Sequence, residues 1–245
     1  LISRQYEIKD DMEKTYEMTQ EKAARLAGFL WVLTMATSMI ATLYGFSRHV
    51  VAGDVAKTAA NIMANETSFR AGIAIFLFTS LGVIILIWAF YILLKPVNRE
   101  LALMGLLFRL VECAILCIMP IQQMVTLKYL SNANYLKVFE PDQLYALANL
   151  SMSTYGSGVY VGFICLGLGS IVFAYLFLKS GYVPKAFAWL GIFASALLTL
   201  GSFSVIVFPA TRGLVYPYGM VPMFLYEVGF GLWLWIRGVK ISEPQ

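Results

Sequence analysis

The sequence predicts an all-α fold: a polytopic transmembrane bundle of six helices, with both termini cytoplasmic and the chain running as three antiparallel hairpins. Three observations carry this. Residues of the AVILMFWYC set make up 60% of the 245 residues and charged residues only 13%. Soluble domains average about 45–50% apolar and about 25% charged, so a soluble enzyme, a disordered chain and a nucleic-acid binder are excluded. Six apolar runs each reach the roughly 20 residues that cross a hydrocarbon core of about 30 Å. Lysine and arginine collect at alternate ends of those runs.

Residues 1–21 form an acidic tail, expected in the cytoplasm, in which Arg4, Lys9 and Lys14 face Glu7, Asp10, Asp11, Glu13, Glu17 and Glu21. The tail has no apolar run of the signal-peptide kind. Residues 22–240 form the six-helix domain, and 241–245 are a C-terminal tail. The spans are read at 26–46, 71–94, 101–127, 148–178, 185–208 and 218–236.

The first span is flanked by Lys22 and Arg25 on the side taken as inside. Beyond it, Val55, Ala59, Ile62 and Met63 recur at helical spacing in residues 54–66, which predicts a short interfacial helix. Asn65-Glu66-Thr67 matches the glycosylation acceptor pattern, a common chance tripeptide. KPVNRE (95–100) then turns the chain between spans two and three. In FEPDQLYALANL (139–150), Pro141 is placed to open the fourth helix. KSGYVPKA (179–186) joins spans four and five, with Gly181 suited to the position after a helix end and Pro184 to the first turn of the next helix. FYILLKPVNRELA (90–102) and AYLFLKSGYVPKAFA (174–188) are alike, a weak sign of repetition. The basic residues taken as inside are Lys22, Arg25, Lys95, Arg99, Lys179, Lys185, Arg237 and Lys240. Arg48, Lys57, Arg70, Lys128, Lys137 and Arg212 are spread over longer loops on the other side. The expected location is the cell inner membrane, as a multi-pass protein.

Three charges lie deep within the spans. A charge at the bilayer centre costs at least about 2.5–3.5 kcal/mol, so such side chains face the bundle and need partners. Arg109 and Glu112 fall in span three and Glu227 in span six. Counting from Glu100 and Arg237 puts Arg109 about 13 Å deep, Glu112 about 18 Å and Glu227 about 15 Å. Arg109 and Glu112, three apart, share a helix face. One arginine bridged by two carboxylates is the simplest arrangement, and its surplus negative charge leaves one carboxyl expected to hold a proton. The cluster reads as a proton-linked or anion-linked site, or as an ion-pair network that only sets helix register.

Other polar features are weaker. Pro120 frees the carbonyl of Leu116 and predicts a kink. Gln122 and Gln123 follow it, and Tyr155, Ser157 and Tyr160 lie on span four. These five residues define a candidate outer pocket. Gly158 and Gly162 form a GxxxG pair that admits a close neighbour. Ser195, Thr199 and Ser202 make a hydroxyl stripe read as packing. Cys113, Cys117, Met119 and Met124 are soft donors for a cuprous ion, but apolar packing is the plainer reading. His49 is the sole histidine, which excludes a bis-histidine haem, HExxH zinc chemistry and a mid-membrane Ser–His dyad. The residues name no cofactor and no metal site.

KAARLAGFLWVL, KPVNRELALMGLLFRLVECAIL, FEPDQLYALA, YGSGVYVGFICLGLGSIVFAYLFLKSGYVPK and YEVGFGLWLWIRGVK resemble bacterial membrane proteins grouped as domain of unknown function 4386. The likeness runs from about residue 22 to 240. Its most characteristic pattern, FR-x-x-E with a glutamate before GLWLW, falls on Arg109, Glu112 and Glu227. The resemblance implies six helices in a bacterial membrane and no mechanism. The expected function is non-catalytic: binding of a small molecule or lipid, or service as an accessory subunit. The alternative is a proton-coupled small-molecule transporter, and a membrane-embedded enzyme acting on lipid is the weaker alternative. Membrane lipids are the expected partners, with other membrane subunits as a further class and no nucleic acid.

Overall fold

The computed structural model describes residues 19–131 and 133–240 and is all-α. The acidic tail before residue 19 and the tail 241–245 lie outside the described residues. Among the described residues, six helical stretches are long and apolar enough to cross a membrane. They begin with α1 (Gln20–Ile40), which continues through a π-helical turn, Ala41–Phe46, to His49. A short helix, α2 (Val55–Ala64), precedes α3 (Glu66–Leu94), α4 (Arg99–Tyr129) and α5 (Pro141–Ser180). Helix α6 (Lys185–Val207), a single turn α7 (Arg212–Val215), a second π-helical turn (Tyr216–Met220) and α8 (Val221–Arg237) complete the chain.

Local chemistry sets the helix ends. Asn98 accepts a hydrogen bond from the backbone N–H of Leu101 and starts α4. Pro141 opens α5 as the sequence predicts, with Glu140 and Gln143 forming a reciprocal capping box. Gly181 ends α5 at φ 66°, a conformation that suits glycine. Pro184 stands at the N-cap of α6, one residue earlier than its expected place in the first turn. Helix α4 runs unbroken through Pro120.

Each spanning helix packs on its neighbours in sequence, and α8 returns to pack on α1, so the six helices close a ring. The turn 95–98, the turn 181–184 and both described chain ends meet at one end of it. Gln20 Nε2 donates to the Leu93 carbonyl and to the Tyr182 hydroxyl. The Lys240 N–H donates to the Tyr182 carbonyl.

Large apolar side chains face outward on every spanning helix: Tyr44, Leu81, Ile118, Val161, Leu200 and Ile236 are all exposed. Polar side chains turn inward, among them Thr34, Ser80, Arg109, Glu112, Ser202 and Glu227. Water would favour the reverse; lipid favours this arrangement, in which helices associate through packing and buried polar contacts. An aromatic cluster fills one half of the interior. Trp31 stands edge-on to Phe90 at 5.0 Å and to Tyr226 at 5.6 Å, and Phe177 to Phe230 at 5.0 Å.

The closest helix approaches are made by glycines other than the expected pair. A Cβ on Gly28 of α1 would come within 2.6 Å of the Gly231 carbonyl oxygen on α8. One on Gly45 would come within 2.5 Å of the Gly72 Cα on α3. Gly158 and Gly162 instead meet side chains of Met119, Ile115 and Leu116 at ordinary or slightly short distances. The short helix expected over residues 54–66 forms as α2. It docks on α5 and α3, with Ala59 and Ile62 buried in a second apolar cluster around Phe69 and Leu127, while Met63 faces out.

Candidate functional site

Helix α4 carries Arg109 and Glu112 on its inner face, and α8 brings Glu227 to the interior; all three are buried. The Arg109 Nη1 and Glu112 Oε2 atoms stand 2.9 Å apart. Both atoms nonetheless lack a partner aligned for a hydrogen bond. The pair is therefore an ion pair by distance with poor angular geometry, and each group keeps unused hydrogen-bonding capacity. Glu227 completes no ion pair with Arg109 at contact distance. It lies within the electrostatic reach of the guanidinium. It also lies close enough to Glu112 for the two carboxyls to repel when both are charged. The bridging geometry expected from spacing is thus direct on one arm and longer-range on the other.

Small residues on facing helices seat these long side chains. A Cβ on Gly169 of α5 would approach the Arg109 Cγ to 2.6 Å, so the arginine stem lies across that glycine. Gly191 of α6 likewise receives the Tyr226 ring, whose Cζ lies 2.5 Å from where a Cβ would be. Tyr226 turns its ring to the interior next to Glu227. Arg109 borders a cavity of about 10 Å³ walled by Trp31, Phe90, Ser170, Phe173, Phe177 and Tyr226. That volume is the lower limit for one water molecule. Sequence reasoning missed these wall residues. Tyr226, beside Glu227, was the nearest to a signal; Trp31 and Ser170 lie in apolar runs that carry none.

The five residues of the candidate outer pocket take separate roles. Tyr155 packs on Phe46 and Phe76. Tyr160 lies against Phe163 and beneath the Arg212 guanidinium. Ser157 is exposed and donates to the Ser153 carbonyl. Gln122 accepts from Ser151 Oγ at both its backbone carbonyl, 2.6 Å, and its side-chain oxygen, 3.2 Å. Gln123 is buried, with Oε1 unpartnered. The soft donors do not converge: Cys113 and Met119 are buried while Met124 is exposed. In the hydroxyl stripe, Thr199 and Ser202 bond their own backbone, and Ser195 donates to the Met223 sulfur at 3.6 Å.

Six long apolar helices with outward apolar faces and buried charges define a polytopic membrane protein. The chain belongs to the family described as Domain of unknown function (DUF4386), whose model matches residues 26–238. It is 32% identical over 173 residues to an uncharacterized protein of Archaeoglobus fulgidus, covering 70% of this chain and 85% of that relative. No solved structure matches. A relative in an archaeon takes the likeness beyond bacteria, so family membership does not by itself assign a bacterial membrane.

Proposed function

We propose that this is a non-catalytic binding protein or accessory subunit of the cell inner membrane, with Arg109, Glu112 and Glu227 as its polar centre and both termini in the cytoplasm. The observation that carries the reading is the unused hydrogen-bonding capacity of Arg109 Nη1 and of its partner Glu112 Oε2, with Arg109 bordering an aromatic-walled cavity. Buried polar atoms are ordinarily satisfied, and one left unsatisfied costs about 1–3 kcal/mol. A guest with a small polar head would recover that cost, and the aromatic walls suit an apolar body. The cavity holds no more than a water, so a larger guest requires the helices to part. The orientation rests on the basic residues gathered at the end where the two short turns meet.

A proton-coupled transporter is the second reading. It is favoured by two buried carboxyls near a single guanidinium, which leaves room for one exchangeable proton. Native mass spectrometry of the protein released from its own membranes tests the binding reading. A small amphiphile retained by the wild type and lost on Arg109→Lys supports it; the same bound species in both sinks it. Proton flux in sealed vesicles that responds to an added solute and vanishes in Glu227→Gln would support transport instead.

A further inference from the structure

Helix α5 has 40 residues, a length of about 60 Å and twice the hydrocarbon core. Its neighbour α6 has only 23 residues and ends at Val207. Tyr160 lies 20 residues before Ser180, so it sits about 30 Å from the α5 end that carries Lys179. That is the thickness of the hydrocarbon layer. Tyr160 therefore marks the level where the layer ends, on the side of the turn that follows α6.

At this level the turn folds Arg212 back onto α5. The guanidinium carbon lies 5.9 Å from the centre of the Tyr160 ring. Its Nη2 rests over Gly156, where a Cβ would come to 3.3 Å. Ser153 and Ser157, both exposed, share the face with Gly156 and Tyr160. Each hydroxyl donates only to a carbonyl of its own helix and is free to turn outward. Arg25, Arg70 and Arg109 each have a carboxylate partner; among the described residues Arg212, like Arg48, Arg99 and Arg237, has none. Phe208 and Leu214, close to it in sequence, and Val161, next to Tyr160, are exposed apolar side chains.

We infer that Arg212, seated on Tyr160 and Gly156, binds the phosphate of an anionic phospholipid. The guanidinium fork matches two phosphate oxygens, the serine hydroxyls offer further donors, and Phe208, Leu214 and Val161 meet the acyl chains. A free phosphate would gain nothing from those apolar flanks. The site is separate from the Arg109 cluster and stands whether or not that cluster binds a guest.

The test uses the full chain in a nonionic detergent, titrated with phosphatidylglycerol, phosphatidylcholine or inorganic phosphate and read by native mass spectrometry. Phosphatidylglycerol is expected to bind the wild type and Lys137→Gln alike. Binding should weaken about tenfold in Arg212→Gln, the loss of a charge-assisted hydrogen bond. Tyr160→Leu, which keeps the charge and removes its seat, should weaken it to a smaller degree. Equal binding by Arg212→Gln overturns the proposal, as does an equal loss in Lys137→Gln, which would show a generic charge effect. Equal retention of phosphatidylcholine, or displacement of the lipid by inorganic phosphate, also overturns it.

Discussion

Arg109 Nη1 and Glu112 Oε2 approach to 2.9 Å across one turn of α4, yet neither atom is aligned for a hydrogen bond. A spacing of three residues brings the two groups together on one helix face, with the N–H not aimed at the carboxylate oxygen. Glu227, which arrives on a different helix, acts on the pair from farther away.

Removing the cation should be costly. Arg109→Ala strands two buried carboxyls, and breaking a buried pair from one side costs about 3–5 kcal/mol. The folded, monodisperse fraction recovered in detergent should fall sharply by size-exclusion chromatography. An unchanged yield would show that the network does not support the fold.

Glu227→Gln makes the complementary case. Gln is nearly the same size and needs no counter-charge, so folding should stay close to wild type. Any pH dependence of guest binding should disappear. Its survival, measured as ligand-induced thermal stabilisation between pH 5 and pH 8, would remove Glu227 from the centre.

The α1–α8 crossing tolerates no added carbon. Gly28→Ala places a Cβ within 2.6 Å of the Gly231 carbonyl oxygen and 2.8 Å of the Leu234 carbonyl carbon. Overpacking of this kind costs about 1–3 kcal/mol, and the melting temperature should drop. Gly229→Ala is the matched control: its nearest neighbour is Phe187 at 3.6 Å, and little change is expected. Equal melting of the two variants would show that this crossing can slide apart cheaply.

Gly181 makes a purely conformational test. At φ 66° with nothing near its missing Cβ, Gly181→Ala meets backbone strain and no clash. A loss of about 1–2 kcal/mol is expected. Gly213→Ala, equally open but without positive φ, should be neutral. Thermal unfolding of the pair in one detergent distinguishes them.

Helix α2 should detach when its inner face is charged. Ile62 is 1% exposed and Met63 38% exposed. Ile62→Asp should therefore make residues 50–66 sensitive to limited proteolysis, and Met63→Asp should not. Equal protection would mean that α2 is not held by its apolar face.

Much of the architecture was readable from residues alone. Apolar runs of membrane length, Pro141 and Gly181 all act locally, through hydropathy, capping and backbone conformation. For the same reason the six spans emerge close to their expected positions, extended by one or two turns where helices run past the apolar window. The inward facing of Arg109, Glu112 and Glu227 was also legible, because a charge within an apolar run has to turn away from lipid.

What the chain determined on its own is its class and the inward facing of its buried charges, since composition and hydropathy need no partner. Tertiary structure alone decided who meets whom. It chose Gly28 and Gly231 over Gly158 and Gly162 for the closest helix contact. It laid Arg109 across Gly169 and walled it with Trp31, Ser170 and Tyr226, and it docked α2 onto protein. The rotation of one helix about its axis against another depends on side chains far apart in sequence, and no local periodicity encodes that angle.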